Sequence, residues 1–215
     1  MDEKIEMTIW DNIYKNYQKG GDAWATLSEE IHPLFKQFLN ESDFRIKHVL
    51  DIGCGTGKYL KILQSAGFTT DGIDSSETSI NMTKELLGNN SNIVLANMFE
   101  FDILQNQYDL IISISTIHHG TKQQIQKLID HIHNALVENG KIFITVPDME
   151  SGKKWNTFNG HEEVAEDTFS PVTGPEKGLP HSFYIEKQAR ELFTRFKNLQ
   201  IDLDNHGRWI VRASK

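Results

Sequence analysis

Val49-Leu50-Asp51-Ile52-Gly53-Cys54-Gly55-Thr56-Gly57 carries an apolar strand straight into a glycine loop. His48–Asp51 reads as a short buried strand. Gly57–Ala66, with Leu60, Ile62 and Leu63 on one side, reads as the helix behind the loop, and Gly67 is placed to cap its end. The glycines follow a G-x-G-x-G spacing. Glycine adopts dihedrals closed to other residues and lets a ligand touch the backbone. A dinucleotide fingerprint would need its third glycine where Lys58 stands, and a phosphate loop would need Ser or Thr where Tyr59 stands. Asp51 would face the phosphates of either ligand. It suits instead a positively charged one, such as an amino-acid ammonium beside a sulfonium.

Outward from this loop, strand-like and helix-like segments alternate. Thr69–Asp74 is a second strand, and Ser75 or Ser76 can cap a helix carrying Ile80, Leu86 and Leu87. Asn92–Met98 and Tyr108–Ser115 are the third and fourth strands. Thr121 and Gln124 form a capping-box pair ahead of the stripe Ile125, Leu128, Ile129, Ile132 and Leu136, with Gly140 as the helix stop. Lys141–Pro147 is the fifth strand. Residues 148–182 hold three of the chain's five prolines and break the rhythm. Tyr184–Phe196 is helical again. Leu199, Ile201 and Leu203 alternate, Asn205-His206-Gly207 turns, and Trp209 and Val211 alternate back, a closing hairpin. Toward the N-terminus, Trp24, Leu27, Ile31, Leu34, Phe35, Phe38 and Leu39 keep helical steps around a kink or fresh start at Pro33. Trp10, Tyr14 and Tyr17 share one helical face, which either packs on the core or forms a lid.

This alternation predicts an α/β fold, a doubly wound sheet with helices on both faces and one antiparallel strand near its end. Ligands of such sheets bind beyond the carboxyl ends of the strands. The 215 residues, at about 150 per domain, suit one domain with a modest elaboration. The single cysteine, Cys54, excludes an intramolecular disulfide and fits a reducing compartment. Lys plus Arg is 22 against 30 Asp plus Glu, a net charge of −8, which disfavours binding to a nucleic-acid backbone. No apolar run is long enough to span a membrane, and the acidic start lacks signal-peptide character, so a cytoplasmic location is expected.

The strand ends supply the candidate site. Asp74 can take both hydroxyls of an unphosphorylated ribose, with Ser75 beside it. Asn97 offers an amide to an adenine edge, and Met98 an adaptable apolar surface to its ring. The segments VLDIGCGTG, GIDSS, ANMF, YDLIISISTIHH and NALVENGKIFITVPD resemble the successive motifs of class I S-adenosylmethionine-dependent methyltransferases over about residues 45–148. The resemblance implies a seven-stranded sheet of order 3-2-1-4-5-7-6 with strand 7 antiparallel. It also implies that Asp51, Gly53, Gly55 and Gly57 carry the methionine part of S-adenosyl-L-methionine, Asp74 its ribose, Asn97 its adenine and the backbone at Ser113 its amino group. Asn97 stands where many members have Asp.

The expected activity is in-line methyl transfer to a small-molecule acceptor by one methyltransferase domain over 1–215. Residues 1–40 are read as a helical cap and 148–182 as an insertion over the acceptor pocket, where Trp155, Phe158 and Phe169 need burial. Gly178–Tyr184 resembles a segment of uncharacterised bacterial small-molecule methyltransferases. His118 and His181 are the candidate catalytic residues, and Arg208 and Arg212 are read as solvated. No metal is expected, because His118, His119, His131 and His133 lack acidic or cysteine partners at ligand spacing. A protein or RNA methyltransferase and a non-catalytic S-adenosylmethionine-binding protein are the alternatives. The motifs leave acceptor atom and oligomeric state open.

Overall fold

The computed structural model describes residues 3–21 and 31–215, with side chains from residue 7. Seven strands form the central sheet: β1 (His48–Ile52), β2 (Thr69–Asp74), β3 (Ser91–Leu95), β4 (Tyr108–Ser113), β5 (Leu136–Pro147), β9 (Lys197–Leu203) and β10 (Arg208–Ser214). Their order is β3-β2-β1-β4-β5-β10-β9. The first five are parallel, and β10 runs antiparallel to both β5 and β9. This is the expected topology with its closing hairpin.

The centre of the sheet, β1, β4 and the second half of β5, is buried on both faces because these strands are nearly continuous apolar runs, whereas the edge strands β3 and β9 are much more exposed. On one face α5 (Lys122–Ala135) and α7 (Glu186–Leu192) cover Leu50, Ile52, Ile111, Ile142 and Ile144. On the other, α2 (Pro33–Glu41), α3 (Lys58–Ser65) and α4 (Glu77–Leu87) cover Val49, Leu110, Ile112 and Phe143. Phe143 lies fully buried, with the Phe35 and Phe38 rings 5.1 and 5.5 Å away. Local capping places the helices. Pro33 starts α2, where its missing N–H costs nothing. Ser76 caps α4, and the Thr121–Gln124 box caps α5.

Several boundaries differ from the sequence reading. Gly140 does not stop α5. That helix ends at Ala135, and Gly140 lies within β5, where a Cβ would meet the Tyr108 carbonyl at 3.0 Å. The third strand ends at Leu95, three residues early, and the helix expected over 184–196 shortens to α7. Leu86 faces solvent. Trp24 and Leu27 lie outside the described residues. Residues 148–182 are not irregular throughout. After α6 (Met149–Lys154) they build a small antiparallel sheet of β6 (His161–Ala165), β7 (Thr168–Pro171) and β8 (His181–Ser182). The N-terminal helix α1 (Glu3–Gln18) lies along α4, and Asp11 accepts hydrogen bonds from Thr78 N at 2.8 Å and Ser76 Oγ at 3.1 Å. A carboxylate from another helix thus supplements the α4 cap.

Candidate active site

A cleft of about 990 Å³ opens at the carboxyl ends of β1, β2, β4 and β5. Its floor is the loop after β1. Gly53 has φ +78° and donates to the Ile73 carbonyl at 2.8 Å, and a Cβ there would fall 2.1 Å from the Thr116 methyl. Gly55 has φ +55° and donates to Asp74 Oδ2 at 2.9 Å, and a Cβ there would meet the Tyr14 hydroxyl at 2.7 Å. Both positions therefore require glycine for conformation and for space. Gly57 is the N-cap of α3 and lies off the cleft lining.

Asp51 and Asp74 stand on either side of this loop, both buried and both lining the cleft. Burial, reinforced by the Asp74 charge and opposed by Lys58, pushes the Asp51 carboxyl up to about 8. Burial also raises Asp74, while the Ser76 and Gly55 amides pull it back. Asp74 Oδ1 accepts from Ser76 N at 2.9 Å. Ser75, Asn97 and Met98 line the same half. The Asn97 side chain accepts from Phe99 N at 2.9 Å, which leaves its NH₂ for a partner. Ser113 is fully buried and donates to the Ile52 carbonyl at 2.9 Å. The cleft is lined by the residues that follow it, Ile114, Ser115 and Thr116.

The second half of the cleft is rich in nitrogen. His118 and His119 occupy a turn after β4, with rings 4.0 Å apart, and β8 brings His181 to 5.7 and 4.5 Å from them. Ser182 holds this arrangement through its N–H to the His118 carbonyl at 2.9 Å and its hydroxyl to the Gly120 carbonyl at 2.7 Å. Burial, with His181 and Arg208 nearby, holds His118 well below the usual imidazole range; burial, His118 and His181 do the same to His119. Both nitrogens of His181 are engaged, Nδ1 with the Leu179 carbonyl and Nε2 with Glu176 Oε2, each at 2.9 Å.

Trp10 and Tyr14, read from the sequence as one helical face, reach the cleft: Tyr14 covers the loop and Trp10 packs edge-on against His119 at 4.7 Å. Lys58, His32, Glu176, Asp204 and Arg208 complete the wall, and His32, Glu176 and Asp204 carry no local signal in the sequence. Arg208 is not solvated as expected. It pairs with Asp204 at 2.9 Å and donates to Ser115 Oγ at 2.7 Å, because antiparallel β10 begins at the carboxyl ends of its neighbours, with Arg208 opposite Pro147. Arg212 is likewise largely covered and paired with Asp202. Phe158, Phe169 and Phe183 pack on one another and are not among the residues lining the cleft, while Trp155 stays half exposed. Among the described residues no helix is long and apolar enough to cross a membrane.

The chain is similar to known proteins. An uncharacterized methyltransferase of Bacillus cytotoxicus is 28% identical over 218 residues, 96% of this chain and 94% of its own. The "Probable tRNA methyltransferase 9B" of Bos taurus is 28% identical over 151 residues, 70% of this chain. The chain spans only about a third of the length of that relative (32%). The structure of Burkholderia thailandensis 1,6-didemethyltoxoflavin-N1-methyltransferase, with bound 1,6-didemethyltoxoflavin and S-adenosylhomocysteine, superposes with a TM-score of 0.68 at 17% identity, covering 99% of this chain and 89% of that one. The methyltransferase domain family model matches residues 23–199. That match runs from ahead of α2 into β9 and takes in both halves of the cleft wall up to His181, so the chain belongs to the methyltransferase domain family.

Proposed function

We propose that this methyltransferase transfers the methyl group of S-adenosylmethionine to a small-molecule acceptor. The observation that carries the reading is the pair of buried carboxylates, Asp51 and Asp74, on either side of a loop whose two cleft-facing glycines leave no room for side chains. Two buried acids with raised affinity for protons favour a ligand that brings positive charge and hydroxyl donors. S-adenosylmethionine has both, and when bound it supplies an electrophilic methyl on a sulfonium. Asp51 would hold its ammonium, Asp74 and Ser75 its ribose, and Asn97 and Met98 its adenine.

The chain's own contribution is placement. Aligning an acceptor with the methyl and excluding water can supply about 7–11 kcal/mol of the barrier reduction. The nitrogen-rich half of the cleft is the acceptor pocket in this reading, with α1 and residues 148–182 as its cover. His118 Nδ1, buried without a hydrogen-bond partner, is the group suited to take a proton from an acceptor that must lose one. His181, with both nitrogens engaged, is a positioning residue.

The tRNA methyltransferase relative favours a second acceptor class, and the net charge of −8 disfavours it. Labelled-methyl transfer offered in parallel to a small-molecule extract and to total tRNA tests the proposal. Label in a low-mass product is expected. Label confined to tRNA would replace the acceptor assignment, and the absence of S-adenosylhomocysteine binding by calorimetry would overturn the cofactor assignment.

A further inference from the structure

We infer that His118, His119 and His181, with Glu176, form a binding site for one divalent transition-metal ion of the zinc type at the acceptor end of the cleft. The site is built from two distant parts of the chain. Adjacent residues on a strand point to opposite faces, but the turn after β4 swings the His118 and His119 rings to the same side. β8, bonded to β7 and to the His118 carbonyl, delivers His181 opposite them. One ligand nitrogen from each of the three rings lies within 4.8 Å of the others. Tetrahedral zinc holds nitrogens at about 2.0–2.1 Å, so closure needs side-chain movements of about an ångström.

Two further observations point to a cation. Nδ1 of His118 and Nδ1 of His119 are buried without hydrogen-bond partners, although buried polar atoms are otherwise nearly always paired. His181 has the arrangement of a ligand with its supporting contact. A carbonyl only accepts, so Nδ1 must donate to the Leu179 oxygen, which leaves Nε2 facing Glu176 Oε2 across 2.9 Å. Two lone pairs cannot face each other at that distance without a proton or a cation between them. The nearby Arg208 charge is compensated by Asp204. Imidazoles with one carboxylate suit zinc, and cobalt reports its geometry.

The ion would lie on the acceptor side of the cleft, apart from Asp51 and Asp74. In the loaded state His118 is a ligand and not a base, so its two roles are alternatives. Metal binding is measured without cofactor or acceptor, so its failure is distinct from failure of the methyl-transfer reading. Chelator-stripped full-length protein is titrated with Co²⁺ and then Zn²⁺. The expected result is one ion per chain, a visible four-coordinate Co²⁺ spectrum displaced by Zn²⁺, and affinity that falls as pH is lowered. His118→Ala and His181→Ala each weaken binding at least about tenfold, Glu176→Gln weakens it with an unchanged melting temperature, and the exposed His131→Ala leaves it unaltered. Absence of stoichiometric binding by the unaltered protein overturns the site. So does binding that survives Glu176→Gln and His181→Ala undiminished.

Discussion

Asp51 ties the chemistry of the cleft to pH. Its carboxyl titrates near 8 in the folded chain against 3.8 unfolded, because burial and the neighbouring Asp74 disfavour its charge. Between those values the folded state holds a proton that the unfolded state has lost. This group therefore lowers stability as pH rises through that window. A cationic ligand reverses the preference by stabilising the ionised form. Binding of S-adenosylhomocysteine, which keeps the ammonium, should release close to one proton near neutral pH, and affinity should climb by up to about tenfold per unit from pH 6 to 8. Calorimetry in buffers of different ionisation enthalpy measures that proton, and a buffer-independent heat would contradict it. Asp74 acts differently, since its two oxygens also clamp the Gly55 and Ser76 amides. Asp74→Ala should weaken ligand binding by about 2–4 kcal/mol, with Asp74→Asn less damaging because it keeps an acceptor. Equal affinities for both variants and the parent would remove the ribose assignment.

At the scale of elements, the cover of the cleft depends on contacts that cross between segments. Helix α1 is fastened by Asp11 to the start of α4, and this puts Tyr14 over Gly55. Burial raises the Asp11 carboxyl, but hydrogen bonds from Lys15, Thr78 and Ser76 more than offset it and bring it down to about 2. A depressed carboxylate contributes stability above its unfolded pKa and loses it as pH falls toward the folded value, so this fastening weakens between about pH 4 and 2. At neutral pH, Asp11→Ala should release α1 by about 1–2 kcal/mol, seen as lost hydrogen-exchange protection over 7–18 and weaker ligand binding. Unchanged protection in that helix would show that the aromatic face alone holds it. Residues 148–182 are held by Ser182 and by the Lys122–Asp167 ion pair, so added ligand should increase protection there and over 8–20 together.

For the whole molecule, stability rests on a sheet whose centre is buried on both faces. Phe143 is its clearest test. It belongs to β5, fills the space under α2 and leaves a large cavity when truncated. Phe143→Ala should cost about 3–5 kcal/mol, a fall of roughly 10 °C in melting temperature for a domain of this size. Because α2 begins beside His32, which reaches Asp204 at 3.4 Å in the cleft wall, the same variant should also loosen ligand binding. Thermal unfolding and calorimetry on one preparation read both effects. A melting temperature within two or three degrees of the parent, about the shift of a single kcal/mol, would mean that the two faces pack independently.

The parts legible in the sequence were those governed by local physics. The glycine loop, the 121–124 capping box and the apolar stripes are short-range patterns that sterics and burial translate directly into a strand, a turn or a helix. Alternation of strand and helix, with the hairpin at 205–207, then pointed to a doubly wound sheet with an antiparallel strand near its end, and the resemblance to class I methyltransferases implied the strand order observed. The tertiary structure alone decided which polar side chains meet. Arg208 looked like a solvated strand residue, yet its register against β5 points it at Ser115. Glu176 and His181 come from a segment with no periodicity of its own, and only the pairing of β7 with β8 and the bond to the His118 carbonyl carry them to His118 and His119. Such convergence depends on contacts between residues about sixty positions apart, set by strand register and helix packing, and no local window of sequence contains it.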